Sequence, residues 1–387
     1  MDFELSSEQR MWQRTVRDFC QSELKPYAAE VDQTSQLHWE SIRKMSDVGL
    51  LSLEVPEEYG GIETDAISLV LALEELGRAC GSTALSVTAH NGLGCAPIKR
   101  WGTPEQKAQW FPKLISGEYL GALALTEPSA GSDLRAVQTT ARRDGDSWII
   151  DGSKAWITNA AIAPVITVLL RTGNKASSHD FSLILVDAKS PGLTIHPPEK
   201  KMGLHGSPTS MLSFDHVCVP LDALLGEEGY GFQQTMQTLE NGRIGIGAIS
   251  LGLAQAAFEE GVSHAKQRHT FGKPIAEHQA IQWMIADAAT EIEAARLMVY
   301  RAAWLRDQSK DFTKAAAMAK LMASEVAEKV ARNAIQIHGS YGYSSEYPVE
   351  RIYRDQRLMT IGEGTSEIQR IVIARRVLQE SYTQLPM

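Results

Sequence analysis

No apolar run in this chain approaches the roughly 20 residues needed to cross a bilayer, so no membrane span is expected. Positive charge is also short. Lys and Arg number 38 against 47 Asp and Glu, a formal net charge of −9. That balance argues against wrapping a nucleic-acid backbone, although a local basic patch can hide within it. The four cysteines (Cys20, Cys80, Cys95, Cys218) are far apart and form no C-x-x-C pair, which fits reduced thiols rather than a disulfide framework. None of the ten histidines falls in an H-E-x-x-H or similar ligand spacing, so no metal is expected. The opening MDFELSSEQR lacks the basic and apolar segments of a secretion signal and is too acidic for a transit peptide. The expected compartment is a bacterial cytoplasm, or the mitochondrial matrix for a mature eukaryotic chain.

What is present is an ordinary globular composition, 43% apolar and 22% charged over 387 residues, enough for roughly two to three domains. The first third reads as helix. Ser6 and Gln9 fit a capping box, and Trp12, Val16, Phe19 and Cys20 recur at helical spacing. Further helices are expected at Ser41 to Leu51, Ala66 to Ala79 and Pro104 to Ile115, with turn-rich VPEEYGG (55–61) and HNGLG (90–94) runs between them. His90 reads as a packed or capping histidine rather than a catalyst. From Gly121 the texture changes to short β-branched runs such as WIIDG, KAWIT, PVITVLL and SLILVDA, with Asp144-Gly145 and Asp151-Gly152 as turn signals. After Gly231 long helices return; Ile281, Ile285, Ala288, Ile292, Ala295 and Val299 trace one apolar stripe, and Phe312 to Ile337 is alanine-rich. Such stripes suggest a four-helix bundle. The expected fold is α+β, with a helical domain (1–120), a β domain (121–228) and a helical bundle (229–387).

Three motifs could carry chemistry. Near the C-terminus, Glu363 stands between Gly362 and Gly364 in I-G-E-G-T-S-E-I-Q-R, where backbone can approach a ligand at little steric cost. Ser366 and Gln369 fit an S-x-x-Q capping box, which would put the carboxylate just before a helix N-terminus, where the dipole favours its anion. A charged base on a glycine turn can abstract a proton, though on these residues alone a solvated loop glutamate is the simpler reading. The β region opens with L-A-L-T-E-P-S-A-G-S-D (123–133), rich in hydroxyls and backbone donors, and K-A-W-I-T-N (154–159) follows. Finally Q-R-H-T-F-G-K-P-I (267–275) carries Arg268, a fork-shaped permanent cation suited to a pyrophosphate.

Together with Q-I-H-G-S-Y-G-Y-S-S-E-Y-P-V-E-R (336–351), these ordered motifs resemble those of acyl-CoA dehydrogenases, from Leu123 to Arg375. The resemblance implies an FAD enzyme that forms a trans-2-enoyl-CoA from a saturated acyl-CoA, with Glu363 as the base and an electron-transfer flavoprotein taking the electrons. It implies flavin contacts from Leu123, Leu125, Thr126, Ser132, Trp156, Ile157, Thr158, Thr365 and Glu367. Trp156 would wall one face of the ring, and Thr158 would bond the hydride-accepting nitrogen. Arg268, Thr270, Phe271, Gln279, Gln336, Ile337, Gly339 and Ser340 would reach the FAD of a neighbouring subunit in a homotetramer, a dimer of dimers. Ser132, Arg243 and Gly364 would meet substrate, whose carbonyl would be bonded by the Glu363 N–H and a ribityl hydroxyl. Overall similarity to butyryl- and isovaleryl-type members suggests short or branched short chains, placing the enzyme in fatty acid β-oxidation or branched-chain amino acid catabolism.

Some members of that family carry the glutamate on the helix before the arginine, where this chain has Gly242; Glu240 reads as structural. The chain departs from many relatives at Gly362, where tyrosine is frequent, and at His205, where arginine is; His205 is assigned no role. An acyl-CoA oxidase or flavin monooxygenase on the same scaffold is the nearest alternative, and a catalytically silent flavin- or acyl-CoA-binding protein a more distant one. A dinucleotide loop at Gly245-x-Gly247 with Gly252 is disfavoured, since Ser250 holds the third glycine position and the tract is helical.

Overall fold

The computed structural model describes residues 4–173 and 179–379. Helix α1 (Ser7–Glu23) starts at the expected capping box: the Ser6 hydroxyl accepts from the Gln9 N–H, and the Gln9 side chain accepts from the Ser6 N–H, each at 3.1 Å. Two short helices follow, α2 (Ala28–Thr34) and α3 (Trp39–Asp47). Helix α4 (Ala66–Ala79) is buried nearly all round within the main core, and its two buried acids are paired, Glu74 with Arg296 and Glu75 with Arg17 and Arg78.

Helix α5 (Gly81–Ala89) does not stop at the H-N-G-L-G run. The chain continues as a wide π-helical segment (His90–Cys95) into α6 (Ala96–Trp101), so the expected turn is a helical joint. Side chains hold it. Asn91 accepts from Leu53 N–H and donates to Leu50 and Val87 carbonyls, while His90 accepts from Gly121 N–H at 2.8 Å and bonds the Leu51 carbonyl through Nε2, also at 2.8 Å. A ring that accepts at Nδ1 and faces a carbonyl with Nε2 is the neutral tautomer, and burial keeps it so by lowering its pKa to about 4. His90 is structural. Helix α7 (Pro104–Leu114) closes this region.

Seven strands form one sheet: β1 (Ala122–Ala124), β2 (Thr140–Asp144), β3 (Ser147–Thr158), β4 (Val165–Arg171), β5 (Phe181–Asp187), β6 (Leu193–Ile195) and β7 (Thr209–Pro220). They run in the order β1-β4-β2-β3-β7-β6, with β5 on β4. Asp144-Gly145 makes the β2–β3 turn as expected, but Asp151-Gly152 does not turn. WIIDG and KAWIT are one strand, β3, in which Gly152 absorbs a register shift against β7 at φ 142°.

Beyond the sheet lie α8 (Gly231–Gln267), a two-strand hairpin of β8 (His269–Thr270) and β9 (Lys273–Pro274), α9 (Gln279–Asp307), α10 (Thr313–His338), α11 (Pro348–Gln356) and α12 (Ser366–Gln379). Helices α8, α9 and α10 pack on each other, and α8 and α9 also pack on α4. The glycines of α8 permit this. A Cβ at Gly252 would overlap the Glu74 carbonyl, and one at Gly247 would press the Val299 side chain at 3.1 Å. Close helix contact, not a nucleotide loop, accounts for them. On α9, Ala288, Ile292, Ala295 and Val299 enter the main core, whereas Ile281 and Ile285 pack in a smaller cluster with Ile275 and Ile337.

Candidate active site

The turn before α12 is built around two left-handed residues, Glu363 at φ 51° and Gly364 at φ 94°. Glycine accepts such geometry freely; for a glutamate it costs roughly 1–2 kcal/mol and must be held in place. Two donors converge on the Gly364 carbonyl, Lys320 Nζ at 2.7 Å and Gln369 Nε2 at 2.8 Å. The cap lies one residue earlier than the sequence suggests. Thr365, not Ser366, caps α12 by accepting from the Ile368 N–H at 3.3 Å, and Gln369 serves the turn instead of closing a capping box. Ser366 starts the helix, and its hydroxyl is buried without a partner. Glu367 is exposed in the first turn.

Glu363 as a residue is half-buried, but its Oε2 is shut off from solvent and has no hydrogen-bond partner. Burial pushes the carboxyl pKa up to about 7, against the opposing pull of Lys320 and Arg243. Arg243 on α8 is buried with Nε and Nη1 unpartnered; burial lowers its pKa while Glu240 and Glu363 oppose the shift. Glu240 accepts from the Thr313 hydroxyl at 3.1 Å, in keeping with a structural role. Between them, Gly242 gives the carboxylate its room: a Cβ there would overlap Glu363 Oε2. Gly242→Ala is therefore expected to displace the carboxylate and slow any proton abstraction by it about 10²-fold, the scale for a misplacement near 1 Å. Stopped-flow measurement of that step checks this; an unchanged rate would mean that the carboxylate can relocate freely.

On the sheet side, Lys154 in β3 has no exposed side-chain surface; its Nζ donates to the Leu125 carbonyl at 2.9 Å and to Glu127 Oε1 at 3.0 Å. Glu127 also accepts from the Gln138 and Thr139 N–H groups. Burial pulls the ammonium down to about 8; burial likewise pushes the carboxyl up, but Lys154 and the Thr139 and Gln138 donors outweigh it and hold Glu127 below its ordinary range. This pair fixes the 125–133 loop against β3, where Ala155 N–H donates to the Thr126 carbonyl at 2.9 Å. Leu123, Leu125 and Ile157 are buried beneath. Trp156 then emerges at a register shift, in left-handed backbone at φ 62° and 60% exposed. The strained backbone thus presents a flat aromatic face to solvent. Thr126, Ser132 and Thr158 lie on the same loop and strand end, their hydroxyls bonded to no protein group in the described structure.

Helix α5 joins the two halves. Asn159, next to Thr158, donates to the Ser86 carbonyl at 2.9 Å and to that of Gly121 at 3.2 Å, while the Thr88 methyl faces Gly245, one turn along α8 from Gly242. The end of β3 and the Glu363 turn thus flank one helix. The remaining predicted residues lie elsewhere. Arg268 follows α8, with its guanidinium 5.8 Å from the Tyr341 ring centre; Thr270 bonds His278 at 3.0 Å, and Phe271 is 96% exposed at φ 50°. Gln279, Gln336, Gly339 and Ser340 are exposed at this end, and Ile337 packs on Ile275. At 1.5 Å per residue, Arg268 is roughly 37 Å along α8 from Arg243. Glu363 and Arg268 of one chain cannot serve the same end of one ligand. His205 bonds the Lys201 carbonyl at 2.9 Å and lies 3.0 Å from Asp32 of α2, a tie between loop and helix.

Three family profiles cover this architecture: "Acyl-CoA dehydrogenase, N-terminal domain" matches residues 6–118, "Acyl-CoA dehydrogenase, middle domain" 122–217 and "Acyl-CoA dehydrogenase, C-terminal domain" 229–378. The chain belongs to the acyl-CoA dehydrogenase family. It is 46% identical over 376 residues to the mitochondrial short-chain specific acyl-CoA dehydrogenase of Bos taurus, covering 97% of this chain and 91% of that one. The butyryl-CoA dehydrogenase of Megasphaera elsdenii superposes with a TM-score of 0.94 at 39% identity, covering 98% of this chain and all of the other. An acyl-CoA dehydrogenase of Bacillus anthracis, solved in complex with FAD, gives 0.91 at 36% identity, over 99% of this chain and 70% of that one.

The protein is accordingly a short-chain-like acyl-CoA dehydrogenase, a flavoprotein oxidoreductase of fatty acid oxidation that uses FAD. The uncovered Trp156 beside three uncommitted hydroxyls fits an isoalloxazine ring. Sequence reading passed over two buried lysines, Lys154 and Lys320. The second had a signal: a lone lysine on the Ala316–Ala323–Ala327 stripe of an alanine-rich helix cannot avoid burial. No helix among the described residues is long and apolar enough to cross a membrane.

Proposed function

We propose that Glu363 removes the α-proton of a short straight or short branched acyl-CoA, giving the trans-2-enoyl thioester. The observation that carries this is the buried, unpartnered Oε2 in a turn held by two donors, with a pKa near neutrality. A base poised near the working pH is half ionised yet still strong enough to accept a carbon-bound proton. The chemistry FAD supplies when bound is acceptance of the β-hydride. Thr126, Ser132, Trp156 and Thr158 would hold and wall the flavin, and Thr365 and Glu367 would meet it from the α12 side. Ser132, Arg243 and Gly364 would meet the thioester. The Glu363 N–H would bond its carbonyl as enolate-like charge develops. Electrons would leave to an electron-transfer flavoprotein.

Arg268, Thr270, Phe271, Gln279 and the 336–340 segment would complete the FAD site of a second copy in a homotetramer, because their own Glu363 lies too far away. Arg268→Ala is then expected to weaken FAD retention by about 10–100-fold, the scale of one lost charge-assisted bond, and to loosen assembly together with it. Flavin-to-protein absorbance and light scattering across a dilution series measure both; unchanged FAD affinity would remove Arg268 from the site.

The direct test is anaerobic titration of the holoprotein with straight and branched short acyl-CoAs, following the visible flavin band. Bleaching by one of them establishes dehydrogenation and names the substrate. A yellow protein bleached by none refutes the reading, and rapid reaction of the reduced flavin with oxygen would make it an oxidase.

A further inference from the structure

Lys320 is, with Arg243, one of two buried cations near the base, and packing does not explain its cost. It is the eighth residue of α10, with no exposed surface, on the same helix as the buried Ala316, Ala319 and Ala323. Burying an ammonium is unfavourable by several kcal/mol unless a partner compensates, and a methionine would fill the same space without that cost. The bond it makes is to a neutral carbonyl, Gly364 O at 2.7 Å. Its charged surroundings are few. Glu363 faces it from the turn and Arg243 from α8, with Glu240 behind Arg243. Glu325 on α10 and Glu367 on α12 are the other carboxylates within reach; Glu325 lies 3.5 Å from Arg370, and Glu367 is exposed. Glu363 is therefore the buried counter-charge that the lysine meets.

We propose that Lys320 is a positioning residue for the reaction: its ammonium pins the left-handed Glu363–Gly364 turn and sets a positive charge against the Glu363 carboxylate. This rests on Glu363 being the proton acceptor. Without the pin, nothing but Gln369 would hold Gly364 O, and the Glu363 N–H and carboxylate would swing together, since both hang from the same strained residue. Without the charge, Arg243 alone would oppose the desolvation of Glu363, and the carboxylate would take its proton at a higher pH.

The neutral donor Gln369 allows the two contributions to be separated. The measurement is the pH profile of kcat/KM and of the flavin-bleaching rate with a short acyl-CoA, for FAD-loaded wild type, Lys320→Met, Lys320→Gln, Gln369→Leu and Glu363→Gln. In both neutral Lys320 variants the acid limb is expected to move up by about one pH unit, cutting the rate at pH 7 roughly five-fold or more with KM little changed. Gln369→Leu is expected to slow bleaching without moving the limb. Lys320→Gln guards against a methionine that fails to pack. Neutral variants that keep the wild-type limb and rate, beside an inactive Glu363→Gln, overturn the proposal and leave the base intact. Loss of FAD from both neutral variants overturns it too, by making Lys320 a folding residue. A Glu363→Gln protein that bleaches normally overturns the base itself, a distinct result.

Discussion

Glu363→Gln should keep its FAD and bind acyl-CoA yet lose roughly three or more decades of flavin-reduction rate, the upper scale for a catalytic base. The substitution is nearly isosteric and leaves the turn's geometry, its two carbonyl donors and the Thr365 cap in place. What it removes is the proposed proton acceptor. A second readout comes from stability. The native carboxyl has a pKa of about 7 against an ordinary 4.5, so the folded state holds this proton more tightly than the unfolded chain does. The stabilising contribution is complete below about 4.5 and is lost as pH rises through about 7. Above that, wild type carries an ionised carboxylate in a dry site and the glutamine variant does not. The inactive variant is therefore expected to be the more stable protein at pH 8, with the difference vanishing toward pH 4. Near-normal bleaching would end the assignment of Glu363 as base.

Lys154→Met should destabilise the sheet domain by about 3–5 kcal/mol, the scale for removing one partner of a buried ion pair. Glu127 is left with two backbone donors and no cation, its side chain only 4% exposed. The loss is local before it is global, since the pair pins the 125–133 loop that carries Thr126 and Ser132. FAD release is thus expected at a lower denaturant concentration than in wild type, ahead of the loss of helical signal. Adding Glu127→Gln should recover part of the stability, because the amide can still accept a backbone N–H and buries no charge. Urea titrations followed by flavin fluorescence and circular dichroism distinguish these outcomes. A single variant as stable as wild type would show that the ion pair contributes nothing net.

Much of this was legible in the chain. The change of texture at Gly121, the β-branched runs and the long apolar stripes after Gly231 gave helices, sheet and helices, because burial periodicity is written in residue type. The misreadings share a cause. Asp151-Gly152 looks like a turn, but β7 supplies a partner across the irregularity and the strand runs on. H-N-G-L-G looks like a loop, but His90 and Asn91 bond backbone from the 50–53 and 121 segments and keep the chain helical. Ser366 looks like a cap, but Gln369 is drawn to the Gly364 carbonyl and Thr365 takes the position. In each case a hydrogen-bond partner that the motif does not contain decided between local options, remote in sequence for the first two and five residues away for the third. The candidate site was legible as motifs; of the ammonium groups that hold its loops, Lys320 left a trace in its place on the alanine stripe of α10, and Lys154 left none, since a lysine in a strand reads as surface until the fold encloses it.

Gly242 and Glu363 share one volume. The space at position 242 is already filled by the tip of the glutamate from the turn, so a side chain at one position excludes a carboxylate at the other. A glutamate brought in at 242 is thus compatible with this turn only once Glu363 has been shortened.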